Sequence, residues 1–302
     1  TFKTCLGIER DETVLLLTDS EMADASKMVF EAVKPLTREL LVMSISPRSV
    51  HGEELPMPAA RAMAASDVVI GVTSRSMTHT EATRAAVKEG ARVASMPGVT
   101  VEMLTEGGMT ADYRAVAEEA RRISGILSSG SEISVETGLG TRFVASIEGR
   151  EGYADTGLLV RRGDFGNLPG GEGFIAPVEG TGRGRIVFDG AIAGSGLLHR
   201  PVSVEVEEGK ARSTDSEELE RIFREVDNAA YVGEIGIGVN PRARLTGNIL
   251  EDEKVLGTVH IAFGNNLGFG GSVDAGIHLD GIIKEPTVKV DGRVVLKKGQ
   301  IC

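Results

Sequence analysis

The chain has 302 residues, 41% of them hydrophobic, and a mean hydropathy of -0.01, enough apolar content for one large core or two ordinary ones in a soluble globular protein. Lys and Arg number 33 against 44 Asp and Glu, and the net charge of -11 argues against sequence-independent binding to nucleic acid. A small-molecule or peptide substrate is the expected partner. No run of 18 apolar residues occurs, so no membrane-spanning helix is expected. The start TFKTCLGIERDE lacks the layout of a secretory signal. Cys5 and Cys302 form no paired motif, which suggests neither a disulfide framework nor a thiolate zinc site and fits a reducing cytoplasm.

In chain order, ETVLLLT (12–18) reads as a strand closing on Asp19-Ser20, which can cap a helix over Glu21–Val33. A strand over Leu40–Ser46, a helix over Pro58–Ala65 and a strand over Asp67–Thr73 follow. A helix over His79–Glu89 ends at Gly90, and Ala91–Met96 is the next strand. Short apolar strands alternating with helices predict βαβ units and a parallel sheet. Asp112–Leu127 closes this part as a longer amphipathic helix, and Ser128–Ser131 reads as a hinge.

Of the 39 glycines, eight precede residue 130 and 31 follow, so the two parts differ in kind. After the hinge the apolar period becomes two, at Ile133/Val135, Phe143/Ala145/Ile147, Ile186/Phe188 and Val202/Val204/Val206. Asp189-Gly190 and Asp291-Gly292 read as hairpin turns, and a helix over Ser216–Val226 interrupts the strands. The expected fold class is α/β. A Rossmann-like parallel-sheet domain over 1–129 precedes a glycine-rich, mostly antiparallel β (α+β) metal-binding domain over 130–302.

Chemistry-bearing residues gather in that second part. His278 and Asp280 in IHLD stand two apart, so on a strand both point to one face. His260 and Glu234 lie inside apolar β-type runs, where an imidazole or carboxylate needs a partner, and Glu172 sits in a glycine-rich turn. Two histidines and three acids without a thiolate predict a site for a divalent ion such as Zn, Co, Mn or Fe(II). Arg242 and Arg244, after Asn240-Pro241, read either as a surface face or as a clamp for a substrate carboxylate.

The runs NLPGGEGFIAP (167–177), GE (233–234), HIAFG (260–264) and IHLD (277–280) resemble, in order, motifs of the metallo-aminopeptidases typified by thermophilic aminopeptidase T. The resemblance implies that Glu172, Glu234, His260, His278 and Asp280 are metal ligands of a hydrolase that releases N-terminal amino acids, with Zn, Co or Mn as cofactor. The acid which that family carries five residues before the HIAFG histidine is Val255 here, with Glu251 and Glu253 nearby, and its later tyrosine is Leu267. The chain is also similar to a second branch of the same fold, the 2,5-dihydroxypyridine 5,6-dioxygenases, which use mononuclear Fe(II) to open aromatic rings. IGIGVNPRA (235–243) and the His278/Asp280 pair carry that similarity, while Glu234 stands where the branch has an iron-binding histidine. His79 stands where that branch places an acid/base histidine, so the resemblance implies a catalytic His79 facing the metal across an interdomain cleft. Glu172 is the second catalytic candidate, and both resemblances imply a homo-oligomer.

Overall fold

In the computed structural model, which describes residues 1–302, the chain forms two compact units. One comprises Thr1–Ala117 with Asp155–Gly170, the other Glu118–Ala154 with Gly171–Cys302. The boundary expected at 129/130 coincides with the end of the helix Tyr113–Ser129, whereas the two units divide within that helix, between Ala117 and Glu118. The segment 155–170, expected in the second domain, belongs to the first unit.

The first unit holds a five-stranded, all-parallel sheet in the order Glu39–Ile45, Thr13–Asp19, Val68–Val72, Arg92–Ser95 and Phe165–Asn167. Val68–Val72 and Arg92–Ser95 are buried along their whole length, as parallel strands covered on both faces must be. The last strand escaped the sequence pattern because FGN has no apolar alternation. The helices Ala23–Val33, Met57–Ala64 and Glu81–Glu89 lie within two residues of expectation. Thr80, not His79, caps the third, accepting a hydrogen bond from the Thr83 N–H, and Gly90 ends it in the left-handed conformation at φ 99°.

The second unit holds two mostly antiparallel sheets of eight and seven strands. Asp291-Gly292, with φ 49° and 77°, joins Thr287–Val290 to Arg293–Lys297 as a tight hairpin. Asp189-Gly190 makes no hairpin. The strand before it pairs in the eight-stranded sheet and the strand after it in the seven-stranded one, so the chain changes sheets there. The Asp189 carboxylate accepts the Lys284 N–H, and its own N–H donates to the Ile282 carbonyl. These long-range bonds, not a hairpin, are what the turn serves.

Four adjacent strands of the seven-stranded sheet, Glu172–Ile175, Val232–Gly238, Val259–Gly264 and His278–Ile283, carry the chemistry. Their other face is apolar. Phe263 is fully buried there, edge-on to Phe188 at 6.4 Å and 5.0 Å from Phe223 between ring centroids. Gly281 leaves room for Phe188, whose ring a Cβ would meet at 2.4 Å. Phe263→Ala is expected to lower stability by about 3–5 kcal/mol, read from urea unfolding, because the cavity lies behind strands that cannot collapse independently.

Candidate metal centre

The sheet register gathers the five candidate ligands. In antiparallel pairs, directly opposed residues share a face. Gly238 opposes Glu172, Gly236 opposes His260, Glu234 opposes Ala262, Ala262 opposes Asp280, and Gly264 opposes His278. Each ligand thus faces a glycine or an alanine across the ladder, and all five project from one side. The small residues leave the space that the large polar ones fill. A Cβ on Gly236 would lie 2.0 Å from His260 Nε2.

Two groups of ligand atoms each lie within 4.8 Å of one another: Glu172, Glu234 and His260, and Glu234, His278 and Asp280. Glu234 belongs to both. Its Oε1 is 3.1 Å from His260 Nε2 and its Oε2 is 3.5 Å from His278 Nε2. His260 Nε2 is also 3.0 Å from Glu172 Oε2, and His278 Nε2 is 3.4 Å from Asp280 Oδ1. The His278 Nδ1 lies 2.8 Å from the Asn265 carbonyl, a contact that orients the ring and turns Nε2 toward the acids. His278 is 32% exposed at its side chain and opens the site to solvent, whereas His260 is fully buried.

The donors fit a divalent cation. Buried Glu172 Oε2 and Asp280 Oδ1 face only the imidazoles, at 3.0 and 3.4 Å, and buried His260 Nδ1 has no hydrogen-bond partner, a costly condition for a polar atom. The first two belong to the ligand groups, where imidazole and carboxylate are the donor types that borderline and hard divalent ions take.

Lys254 is a site residue that the motif reading missed, and it stands beside Glu253, one of the two acids noted near Val255. The Lys254 ammonium, 1% exposed, donates to Glu172 Oε1 at 2.5 Å and to Glu253 Oε1 at 2.6 Å. The signal was a lysine in LEDEK, which draws the eye to its acids instead. Glu251 is buried on the short helix Ile249–Asp252 but joins neither ligand group. Aromatic residues are scarce, yet Tyr153, Phe174 and Phe269 form a half-buried row ending edge-on to the His278 ring, with centroid spacings of 5.8, 5.4 and 5.9 Å. Arg150 and Glu179 pin the loop behind this row. Arg150 donates to the Gly270 carbonyl and pairs with Glu179, which accepts the Ser272 N–H at 2.7 Å.

The other candidates lie elsewhere. His79 is exposed in the first unit on the turn before Glu81–Glu89, where its carbonyl accepts from Arg84. Arg242 and Arg244 are exposed on the loop after Val232–Gly238.

Charge in the cluster is mutually compensated. Burial alone would raise the Glu172 carboxyl, but Lys254 and His260 outweigh it and hold it down to about 2. Burial likewise opposes ionisation of Asp280, and His278 overrides it, again to about 2. His278 would be pushed down by burial, but Asp280 and Glu234 hold it up to about 10. His260 is raised well above its usual value against the same cost, by Glu172 and Glu234. Burial pushes Glu234 up, and Glu253 up to about 8.

These features define a two-unit protein with a parallel α/β sheet, antiparallel sheets and a buried nitrogen–oxygen centre suited to a divalent metal. The family described as NicX: 2,5-dihydroxypyridine 5,6-dioxygenase matches residues 1–302, and the chain belongs to that family. The structure is similar to that of 2,5-dihydroxypyridine dioxygenase from Pseudomonas putida KT2440, with TM-score 0.80 and 19% identity over 98% of this chain and 93% of that one. It is also similar to wild-type AmpT from Thermus thermophilus, with TM-score 0.73 and 15% identity over 99% of this chain and 96% of that one. Both relatives named by the resemblance are therefore found. At these identities the two likenesses establish the fold. No curated protein matches the sequence. No helix of the chain is long and apolar enough to cross a membrane.

Gly236→Ala is expected to weaken divalent-ion binding at least tenfold by titration calorimetry with an unchanged circular dichroism spectrum, because the added methyl displaces the His260 ring. The ionisation pattern sets a pH window for the metal-free protein. His278, raised from 6.5 to about 10, contributes fully below about 6.5 and loses that contribution as pH rises through about 10. Glu172 and Asp280, lowered from 4.5 and 3.8 to about 2, contribute above those values and lose it as pH falls toward about 2. The thermal midpoint in chelator is expected to gain most from this cluster between about pH 4.5 and 6.5, with His278→Ala flattening the alkaline limb.

Proposed function

We propose that the chain is a metal-dependent hydrolase that cleaves an amide beside a free amino group, releasing N-terminal amino acids or acting on a related small amide. The observation that carries this reading is the pair of ligand groups joined through Glu234. A carboxylate shared by two groups of nitrogen and oxygen donors suits Zn, Co or Mn chemistry on a carbonyl. One or two divalent ions held by Glu172, Glu234, His260, His278 and Asp280 would supply carbonyl polarisation and a lowered pKa for water.

The chain's own groups do the rest in this reading. Glu172, ionised by Lys254 and His260, is the carboxylate candidate for proton transfer, with its Oε2 facing His260 Nε2 at 3.0 Å. His79 is a second acid/base candidate, since an imidazole titrates near neutrality. Arg242 and Arg244 bind a substrate carboxylate. The half-buried row of Tyr153, Phe174 and Phe269 receives an apolar or aromatic substrate group beside His278. The acidic net charge supports a small-molecule or peptide substrate over a polyanion. The reading takes the cytoplasm from the cysteine usage and a homo-oligomer from the resemblances.

A second reading, mononuclear Fe(II) cleavage of a dihydroxypyridine-like aromatic ring, is favoured by the family match over the whole chain. In it Glu234, His278 and Asp280 hold the iron. The site then departs from two histidines and one carboxylate by a carboxylate at Glu234.

Elemental analysis of anaerobically purified wild type and His278→Ala, followed by assays on aminoacyl amides and on dihydroxypyridine with an oxygen electrode, separates the readings. Zn, Co or Mn with amino-acid release is the expected result, with metal content falling in the variant. Iron with oxygen consumption selects the second reading, and a metal-free wild type that no divalent ion reconstitutes sinks both.

A further inference from the structure

Lys254 is the one buried lysine of the chain, and its place is built by several independent features. Gly238, at the end of a ligand-bearing strand, permits the Glu253–Val255 backbone to lie directly against it. A Cβ there would come within 2.2 Å of the Val255 carbonyl oxygen and 2.8 Å of the Lys254 carbonyl carbon. The segment is locked by the Asn240 N–H donating to the Lys254 carbonyl at 2.8 Å, and by the Leu256 N–H donating to the Asn240 carbonyl at 3.1 Å. The Lys254 N–H itself donates to Glu251 O at 2.9 Å. The side chain has one destination, the face that carries the ligands.

There the ammonium takes one oxygen of Glu172, while the other oxygen of the same carboxylate belongs to the group with Glu234 and His260. The ion pairs of the group of Glu234, His278 and Asp280 are made by imidazoles, and the ion pairs of Lys254 are with Glu172 and Glu253. The two groups are therefore unequal. An ion entering the first must share a carboxylate with a fixed positive charge in a buried setting, where like charges are poorly screened.

We propose that Lys254 is a resident cation of the site: a positioning residue that holds Glu172 and Glu253 and stands in for a second divalent ion beside Glu172, so that the chain loads one ion, at Glu234, His278 and Asp280. The inference rests on the metal reading above and decides its stoichiometry. It also accounts for an acid, Glu253, that is buried beside the ligands yet belongs to neither group.

The test is the stoichiometry of Mn²⁺ and Zn²⁺ binding, by titration calorimetry and by elemental analysis after desalting, on wild type, Lys254→Met and Lys254→Arg. One equivalent is expected in wild type and in Lys254→Arg, which keeps the charge. A second equivalent is expected in Lys254→Met, where Glu172 and Glu253 lose their counter-charge. Two equivalents in wild type overturn the proposal while leaving the metal reading intact, and so does one equivalent in a folded Lys254→Met. Should Lys254→Met not fold, the wild-type and Lys254→Arg stoichiometries still decide, because two equivalents in either overturns it. A wild type that binds neither ion overturns the metal reading and the proposal together.

Discussion

Five ionisable side chains on one buried sheet face impose the condition that the rest of this structure meets. Removing a charge from water costs several kcal/mol even after relaxation, so Glu172, Glu234, His260, His278 and Asp280 are tenable only as a set in which each balances its neighbours. Proximity of acids and imidazoles meets part of that cost, which is why the carboxyls at 172 and 280 are held down while the imidazoles are held up. It does not meet all of it. His260 Nδ1 has no hydrogen-bond partner, and Glu172 Oε2 and Asp280 Oδ1 face only the imidazoles, a donor set that suits a divalent cation.

The sheet meets the geometric half of the condition. Ligands on adjacent strands stay in register because every second residue returns to the same face, and Gly236, Gly238, Ala262 and Gly264 give them room. The opposite face, with Phe263 against Phe188 and Phe223, anchors the same strands in apolar packing. A site on strands is held more stiffly than one on loops. The candidates on loops, His79, Arg242 and Arg244, are by contrast exposed.

Family membership does not by itself choose the reaction. A fold shared with both a ring-opening dioxygenase and an aminopeptidase is a scaffold on which the donor set decides the chemistry. Here that set has a carboxylate at 234 and a lysine reaching Glu172, and both shape the charge of this pocket.

Much was legible in the sequence alone. The alternation of apolar strands with helices before residue 130 gave the parallel sheet, because strands covered on both faces must be apolar throughout. The period of two and the glycine excess gave the antiparallel part, and His278 with Asp280 gave two candidate ligands on one face, since strand geometry is local. Only the tertiary structure decided what depends on pairing between distant segments. Asp189-Gly190 has hairpin composition but joins strands of two different sheets. The strand Phe165–Asn167 completes a sheet whose other members lie some 70 residues or more earlier. Lys254 reaches Glu172 across 82 residues of sequence. No local periodicity records such contacts, because the chain pays for them through loop closure and register rather than through the preferences of neighbouring residues.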